Sequence, residues 1–270
     1  MENCLLRNPF TTQNLYVGVM LGTAEIANVT IEGGEAILSE NDIMLGYVDP
    51  IYFYCMQATA SLADLRVTKQ TLYHTGATVC FFFSDFRLFG LFVRDLIQYF
   101  VLLVASSSGT VTNLDVQNVD LDFYVLQAAS YTDLTVSNAV IKALAPNTRR
   151  KAVFFMSSYC NMTVSHTFLS DLVAPTVISS KSSQFASDFL RIINCSFHEL
   201  TQYPLNSRIF FHHLLFEEST GGLASGMDSY ISFVDSYIRE VRSETGFLRC
   251  FMSVVQIVNL TIAGYARTLL

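Results

Sequence analysis

The amino-acid sequence predicts an all-β fold, a single-stranded parallel β-helix (β-solenoid) of about eleven coils. Three observations favour this fold: a short motif recurs along the whole chain, a turn-forming residue stands at one offset within it, and the apolar residues lack helical spacing. The motif is Asn or Asp, an apolar residue, usually Thr or Ser, and a second apolar residue. Clear copies lie at residues 28–31, 133–136, 161–164 and 259–262.

The last apolar residue of each copy is taken as the anchor of one predicted coil. Ten gaps span the 256 residues from Leu6 to Ile262, a mean of about 26 residues per coil. Apolar residues two apart point to the same side of a strand, and stacked strands lie about 4.8 Å apart. Asn, Asp and Gly tolerate the left-handed backbone of a sharp bend. The assigned anchors are Leu6, Ile31, Val67, Val93, Val116, Val136, Val164, Phe197, Phe216, Ile238 and Ile262.

Two other folds fit this pattern less well. A β-sandwich predicts plain alternation, without one motif that has a turn residue at a constant offset. A leucine-rich horseshoe requires a Leu-rich frame with an Asn inside the strand, and the chain lacks that frame. Because no composition break suggests a linker, residues 1–270 are predicted to form one solenoid domain.

Both ends of the chain match the motif, at residues 3–6 and again near residue 262. A solenoid end exposes unpaired backbone and apolar core unless it is capped. Neither end has an amphipathic helix or a polar cap in its sequence. We therefore expect a segment of a longer solenoid, with further coils of the same chain or neighbouring copies stacked at its ends.

The composition favours a core-rich protein without a nucleic-acid partner. Hydrophobic residues make up 51% of the chain and charged residues 14%, and the net charge is −7. That charge argues against nucleic-acid binding. The most apolar stretch, Leu88 to Ala105, contains Arg94 and Asp95, so it is predicted to form core strands instead of a membrane span. No signal peptide is visible at Met1.

Four N-x-S/T sequons predict N-glycosylation, and with it a secreted or cell-surface glycoprotein. They begin at Asn28, Asn161, Asn194 and Asn259. All four occupy the same place in the motif, so their glycans are expected along one edge of the solenoid. The alternative is coincidence, because Asn is favoured in turns and Thr in strands.

The six cysteines form no CxxC pair, so we expect no zinc site, no other metal and no cofactor. Cys4 and Cys195 occupy inward motif positions and are predicted to be core thiols. Cys55 and Cys80 precede their anchors by 12 and 13 residues. They are a candidate disulfide, with a buried stack of thiols as the alternative.

The period and the stacked turn asparagines resemble the right-handed parallel β-helix superfamily, the pectate-lyase-like fold, over essentially the whole chain. Hydrolases of that family carry paired aspartates and a His on one outward face, and its lyases carry calcium-binding Asp clusters with a basic residue. The resemblance implies that an enzyme of this kind would carry one of these two sets. The outward residues just before the anchors include one Asp, Asp115, and one Arg, Arg66. Asp120 and Asp122 are expected at a strand edge. None of these positions matches the family's catalytic set.

Three functions fit these observations. The first, which we favour, is a non-enzymatic structural segment of a secreted or cell-surface glycoprotein that forms a scaffold, coat or filament. The second is a polysaccharide-acting enzyme whose acids, such as Glu40, Asp42 and Asp49, come from a long loop. The third is a carbohydrate-binding adhesin that uses exposed Tyr and Phe as sugar platforms. Long loops are predicted at residues 39–50, 144–152 and 173–187.

Overall fold

A computed structural model describes residues 2–7, 10–11, 15–33, 35–36, 51–72, 77–144, 152–201, 204–243, 248–264 and 266–267. Every regular element in these ranges is a β-strand, and the strand pairings are parallel. The prediction of an all-β parallel solenoid is therefore confirmed. The strands are β1 Glu2–Arg7, β2 Phe10–Thr11, β3 Leu15–Glu32, β4 Glu35–Ala36, β5 Ile51–Leu72, β6 Ala77–Phe82, β7 Asp85–Ala105, β8 Ser108–Ala129, β9 Asp133–Ser137, β10 Val140–Lys142, β11 Phe154–Ser157, β12 Asn161–Ser170, β13 Thr176–Lys181, β14 Gln184–Ile193, β15 Ser196–Thr201, β16 Arg208–His212, β17 Leu215–Glu217, β18 Thr220–Met227, β19 Tyr230–Arg239, β20 Arg242–Ser243, β21 Leu248–Phe251, β22 Val254–Ala263 and β23 Ala266–Arg267.

One unbroken column of paired residues defines the anchor face of the solenoid. Its side chains between Ile31 and Ile238 are buried, because apolar residues of successive coils stack directly on one another. The eleven rungs agree closely with the predicted number of coils. They are Leu6, Ile31, Val67, Val93, Val116, Ile141, Leu169, Ile192, Phe216, Ile238 and Ile262.

Three of the assigned anchors are wrong. Val136 and Val164 pair with each other on a second face, and Phe197 lies in β15, beyond the anchor face. The rungs in those coils are Ile141, Leu169 and Ile192. The error has a physical cause: the chain bends before each face, so the same turn-and-strand pattern occurs more than once per coil.

The predicted loop at residues 173–187 is wrong for the same reason, since β13 and the beginning of β14 lie there. The predicted loop at residues 39–50 lies outside the described residues. Only the margins of the loop at 144–152 are described, where Leu144 and Ala152 are both buried.

Two further faces complete the cross-section. The groove face is named for the groove described below, and the aromatic face for the stacked rings on its outer side. Side chains from the three faces meet in one core, where rings of adjacent coils stack along the axis, as Phe211 and Phe233 do with centroids 5.1 Å apart. The groove face is built on Ile26, Leu62, Leu88, Val111, Val136, Val164, Ser187, Phe211, Phe233 and Ile257, and the aromatic face on Val17, Phe53, Val79, Leu102, Leu126, Phe154 and Ile178.

Left-handed residues form the corner between the groove face and the anchor face, which we call the asparagine corner. Neighbouring corner amides bond along the axis: Asn28 Nδ2 donates to Asn3 Oδ1 at 3.2 Å, and Asn259 Nδ2 donates to Asp235 Oδ1 at 2.7 Å. The left-handed backbone explains the turn residue of the motif. The corner consists of Asn3, Asn28, Asp64, Gly90, Asn113, Asn138, His166, Phe189, His213, Asp235 and Asn259, all with φ between 47° and 74°.

The corner after the anchor face, the acidic corner, has the same geometry. Asn194 Nδ2 donates to Asp171 Oδ1 at 2.6 Å, so this corner is also bonded from coil to coil. Its left-handed residues are Gly33, Lys69, Asp95, Asn118, Ala143, Asp171, Asn194, Glu218, Glu240 and Gly264.

A buried polar column follows the third corner, the serine corner, which leads from the aromatic face to the groove face. Ser183 is typical: its Oγ donates to Lys181 O at 2.8 Å and accepts from Cys160 N at 3.1 Å. Each serine of the column satisfies a backbone carbonyl of its own coil and a backbone N–H of the preceding coil in this way. The column consists of the buried Ser84, Ser107, Thr132, Cys160, Ser183, Ser207 and Ser229, and of the half-buried Ser253.

Candidate functional site

A shallow, open groove of about 740 Å³ lies on the outer side of the groove face. It crosses six neighbouring rungs, contributed by β3, β5, β7, β8, β9 and β12, a length of about 24 Å at the usual strand spacing. Its volume falls within the range of ligand sites in proteins. The groove is the candidate functional site of this chain.

Two outward columns supply the polar lining of the groove. Strand alternation places them outside, while the apolar residues between them face the core. Hydroxyl, amide and carboxylate groups dominate, and Asn161 Nδ2 donates to Asp133 Oδ1 at 2.8 Å. The lining therefore offers both hydrogen-bond donors and acceptors. One column is Thr23, Thr59, Asp85, Ser108, Asp133 and Asn161; the other is Glu25, Ser61, Arg87, Thr110, Thr135 and Thr163.

Gly109 shapes the floor of the groove. A Cβ atom built on Gly109 would lie 2.4 Å from the ring of Phe86, which is buried against Phe81 in the core. The space that a side chain at residue 109 would need is thus already filled from the neighbouring coil. Glycine at this inward position therefore lets the Phe86 ring extend beneath the next coil while the two strands stay in register.

Exposed aromatic side chains stand on the rim of the groove, at the serine corner. Tyr131 and Tyr159 immediately precede the polar-column residues of adjacent coils, two positions before Asp133 and Asn161 of the lining. Their rings stack with centroids 5.6 Å apart and an interplanar angle of 15°, and the residues are 73% and 65% exposed. Phe83 has the same position relative to Asp85 and is also exposed.

The tyrosine pair was not predicted from the sequence, although a signal was present. The flanking coils turn at this corner with one left-handed residue, Ser106 or Ser182. The two tyrosine coils turn with two left-handed residues, Ser130–Tyr131 and Ser158–Tyr159. A coil-by-coil alignment in the correct register would have shown each tyrosine as an inserted residue.

The carboxylates of the groove do not form a close pair. Asp85 and Asp133 belong to one column but are separated by the rung of Ser108, so their backbones are about 9.6 Å apart. Both residues are exposed, whereas glycosidases place their acid in a buried apolar setting. Glu40, Asp42 and Asp49, the acids of the enzyme hypothesis, lie outside the described residues. In the described ranges, no three His, Cys, Asp or Glu side chains converge to hold a metal ion.

The four sequon asparagines are exposed but do not share one edge, so the expectation of a single line of glycans is wrong. Asn28 and Asn259 lie in the asparagine corner, near opposite ends of the column, and Asn194 lies in the acidic corner. Asn161 lies in the groove. Each Nδ2 atom donates to the side chain of the preceding rung.

The cysteines are free thiols, and Cys55 and Cys80 are not brought together as a disulfide. Cys55 pairs in register with Phe81 and faces the main core, whereas Cys80 pairs with Tyr54 and belongs to a small outer cluster with Ala77 and Leu103. Burial raises the pKa of Cys55 to about 11 and that of Cys195 to about 12. Burial, and then the nearby Cys55, also raise the pKa of Cys80. Cys195 is a core thiol, as predicted.

Cations collect on the outer side of the anchor face, which sequence inspection did not reveal. Arg66 stacks over Phe92 at 5.0 Å, and Lys142 and Arg191 stack over Phe168 at 5.2 and 5.7 Å. Arg239 pairs with Glu217 at 2.9 Å. Because these cations already have aromatic or acidic partners, we interpret them as surface ladders that hold adjacent coils together.

Comparison with models of known protein families, with curated protein sequences and with solved structures found no significant match for this chain. Among the residues that the structure describes, none forms a helix with the length and apolarity required to cross a membrane.

Proposed function

We propose that this chain is a rigid structural module, a β-solenoid segment of a secreted or cell-surface glycoprotein that acts as a scaffold, coat or filament element. The observation that supports this most strongly is the continuous eleven-rung column from Leu6 to Ile262. Ten rung spacings correspond to a length of about 48 Å. A single core inside three paired faces leaves no hinge along the described part of that column.

Side-chain ladders support the rigidity of the module. The asparagine and acidic corners are bonded from coil to coil by amide and carboxylate groups. The serine corner adds buried hydrogen bonds that cross from one coil to the next. Bending the solenoid would stretch several of these bonds at once, so its parts should move as one body. We also propose membership of the right-handed, pectate-lyase-like superfamily, on the shared pattern of stacked turn asparagines.

Rigidity is tested by distances between spin labels on one outward column of the anchor face. Thr30 and Tyr237 are eight rungs apart, so labels at these positions are expected about 38 Å apart before the label linkers are considered. Labels at Thr30 and Phe168, five rungs apart, are expected at about 24 Å. Narrow distributions that increase linearly with rung number support the scaffold. Broad distributions would contradict it.

The surface-glycoprotein part of the proposal rests on Asn28, Asn194 and Asn259, which are exposed at corners. An asparagine amide has two N–H donors, so a glycan bond leaves one donor for the bond to the preceding rung. Expression through a eukaryotic secretory pathway, followed by peptide mapping, should find glycans at these positions. Asn161 is the fourth predicted glycosylation site and is assayed in the same peptide map. Secretion with all four asparagines unmodified would refute the glycoprotein proposal and leave the scaffold intact.

A further inference from the structure

Beyond the scaffold role, we propose that the groove and the Tyr131–Tyr159 pair form a binding site for a linear, uncharged oligosaccharide. The two tyrosines supply an aromatic platform at the rim, and the Thr, Ser, Asp and Asn side chains of the lining supply hydrogen bonds to sugar hydroxyls. Glycans on Asn28, Asn194 or Asn259 would leave this site open, because these residues lie at corners, whereas the site requires an unmodified Asn161.

The tyrosines occupy a costly conformation that the core does not require. Tyr131 and Tyr159 have φ of 60° and 66°, and each follows a serine that is also left-handed. A left-handed backbone costs about 1–2 kcal/mol for an ordinary residue. The rings are exposed and stack on each other, so the core gains little from them. The flanking coils make the same bend with one left-handed residue, Ser106 or Ser182, so the second one in each tyrosine coil is not needed for the turn. An extra left-handed residue that carries an exposed ring in two successive coils indicates a function for the side chains.

The chemistry of the groove matches that of a neutral sugar chain. Sugar rings have apolar C–H faces that pack on aromatic rings, and hydroxyls that both donate and accept. Thr110, Thr135 and Thr163 form a row of hydroxyls on three successive rungs beside the tyrosine coils. Asp133 and Asn161 add an acceptor and a mixed donor–acceptor between that row and the rim. A ligand lying along this row meets a threonine hydroxyl at each of these three rungs.

The charge of the groove excludes an acidic polymer as its preferred ligand. Glu25, Asp85 and Asp133 contribute three negative charges to the lining, and Arg87 contributes one positive charge. The net charge of the lining is therefore −2, and an anionic chain would be repelled. The length of about 24 Å, covering six rungs, suits an extended chain of several sugar units.

The proposal is tested by calorimetric titration of the full chain, produced without glycans, with cello-, xylo-, manno- and chitohexaose. At least one of these probes is expected to bind with a dissociation constant below about 1 mM. Hexagalacturonate, the acidic control, is expected to bind at least about tenfold more weakly than the best neutral probe. Absence of binding by all four neutral probes overturns the proposal, and so does equal or tighter binding of hexagalacturonate.

The double variant Tyr131→Asn/Tyr159→Asn separates the binding role from a folding role. Asparagine accepts the left-handed backbone, so the variant is expected to retain or exceed the melting temperature of the parent chain. Its affinity for the best neutral probe should fall at least about tenfold, because the aromatic platform is lost. Tyr237→Asn, on the anchor face, is the matched control and should bind like the parent. Unchanged affinity in the double variant overturns the assignment of the tyrosines.

Discussion

At the scale of single residues, the left-handed backbone of a corner is shared by several residue types, so residue type alone does not identify a corner. Asn, Asp and Gly occupy most left-handed positions of the asparagine corner, as the motif predicts, but Phe189 is left-handed there as well. Its ring stacks between His166 and His213 at centroid distances of 5.1 and 4.5 Å. Aromatic stacking offsets the backbone cost at this rung, and a motif search for turn residues does not find it.

Ser187 interrupts the apolar column of the groove face between Val164 and Phe211. It is 3% exposed, and within the described part of the chain its hydroxyl has no hydrogen-bond partner. Ser187→Ala should therefore raise the free energy of unfolding by about 1 kcal/mol, because an unsatisfied buried polar group is removed. Urea denaturation measures the change. Ser61→Ala, at an exposed groove position, should change it by less than about 0.5 kcal/mol; a destabilised S187A would show that the hydroxyl is satisfied.

Gly109 tests the packing beneath the groove. Gly109→Ala places a methyl group against the Phe86 ring and should lower the free energy of unfolding by about 1–3 kcal/mol. Phe86→Leu frees space at the same point, so adding it should remove part of the G109A penalty. A double-mutant cycle by urea denaturation gives the coupling between the two sites. Purely additive effects would mean that the Phe86 ring does not limit residue 109.

At the scale of strands and corners, the sequence indicated the element type but not the full register. Asp133–Val136 and Asn138–Ile141 both match the motif, since a left-handed bend precedes the anchor face and another bend leads into the groove face. Assigning Val136 as the anchor in place of Ile141 treated residues of the groove face and of the anchor face as a single column. The tyrosine pair and the groove could then not be predicted, because both depend on which residues share the groove face. Even spacing of the rungs would have favoured Ile141.

The buried column after the serine corner predicts a specific hierarchy of substitutions at Ser183. Ser183→Ala removes the acceptor of the Cys160 N–H and the donor to Lys181 O, and should cost about 1–3 kcal/mol of unfolding free energy. Ser183→Cys should cost less, since Cys160 occupies the equivalent position in the preceding coil. Urea denaturation, analysed with the m-value of the parent chain, gives the loss of unfolding free energy in both variants. Equal losses for the two variants would argue against a hydrogen-bonding role for the column.

At the scale of the whole molecule, the buried thiols predict weaker stability at alkaline pH. Unfolded cysteine has a pKa of about 8.5, whereas the pKa is about 11 for Cys55 and about 12 for Cys195 in the folded chain. The folded state binds these protons more tightly. The contribution of the two thiols to the free energy of unfolding is complete below about pH 8.5 and is lost as the pH rises through about 11 to 12. The free energy of unfolding should therefore fall across this window.

The variant Cys55→Ala/Cys195→Ala isolates the thiol contribution to that pH dependence. Between pH 9 and pH 11 its unfolding free energy should fall less steeply than that of the parent chain, by about 1 kcal/mol per pH unit or more. Denaturation at a series of pH values measures both slopes. Identical slopes would show that these thiols do not titrate differently in the folded and unfolded states.

The continuous, in-register column of coils is the basis of the scaffold proposal and of the sugar site, and engineered disulfides test it most directly. Thr110 and Thr135 are outward register partners, and neighbouring parallel strands place them about 5 Å apart, within reach of a disulfide. Thr110→Cys/Thr135→Cys should therefore form a cross-link in the native chain under mild oxidation, as measured by mass spectrometry. Asp115→Cys/Thr135→Cys, which joins the anchor face to the groove face, should remain reduced. A cross-link in the second variant with none in the first would contradict the account.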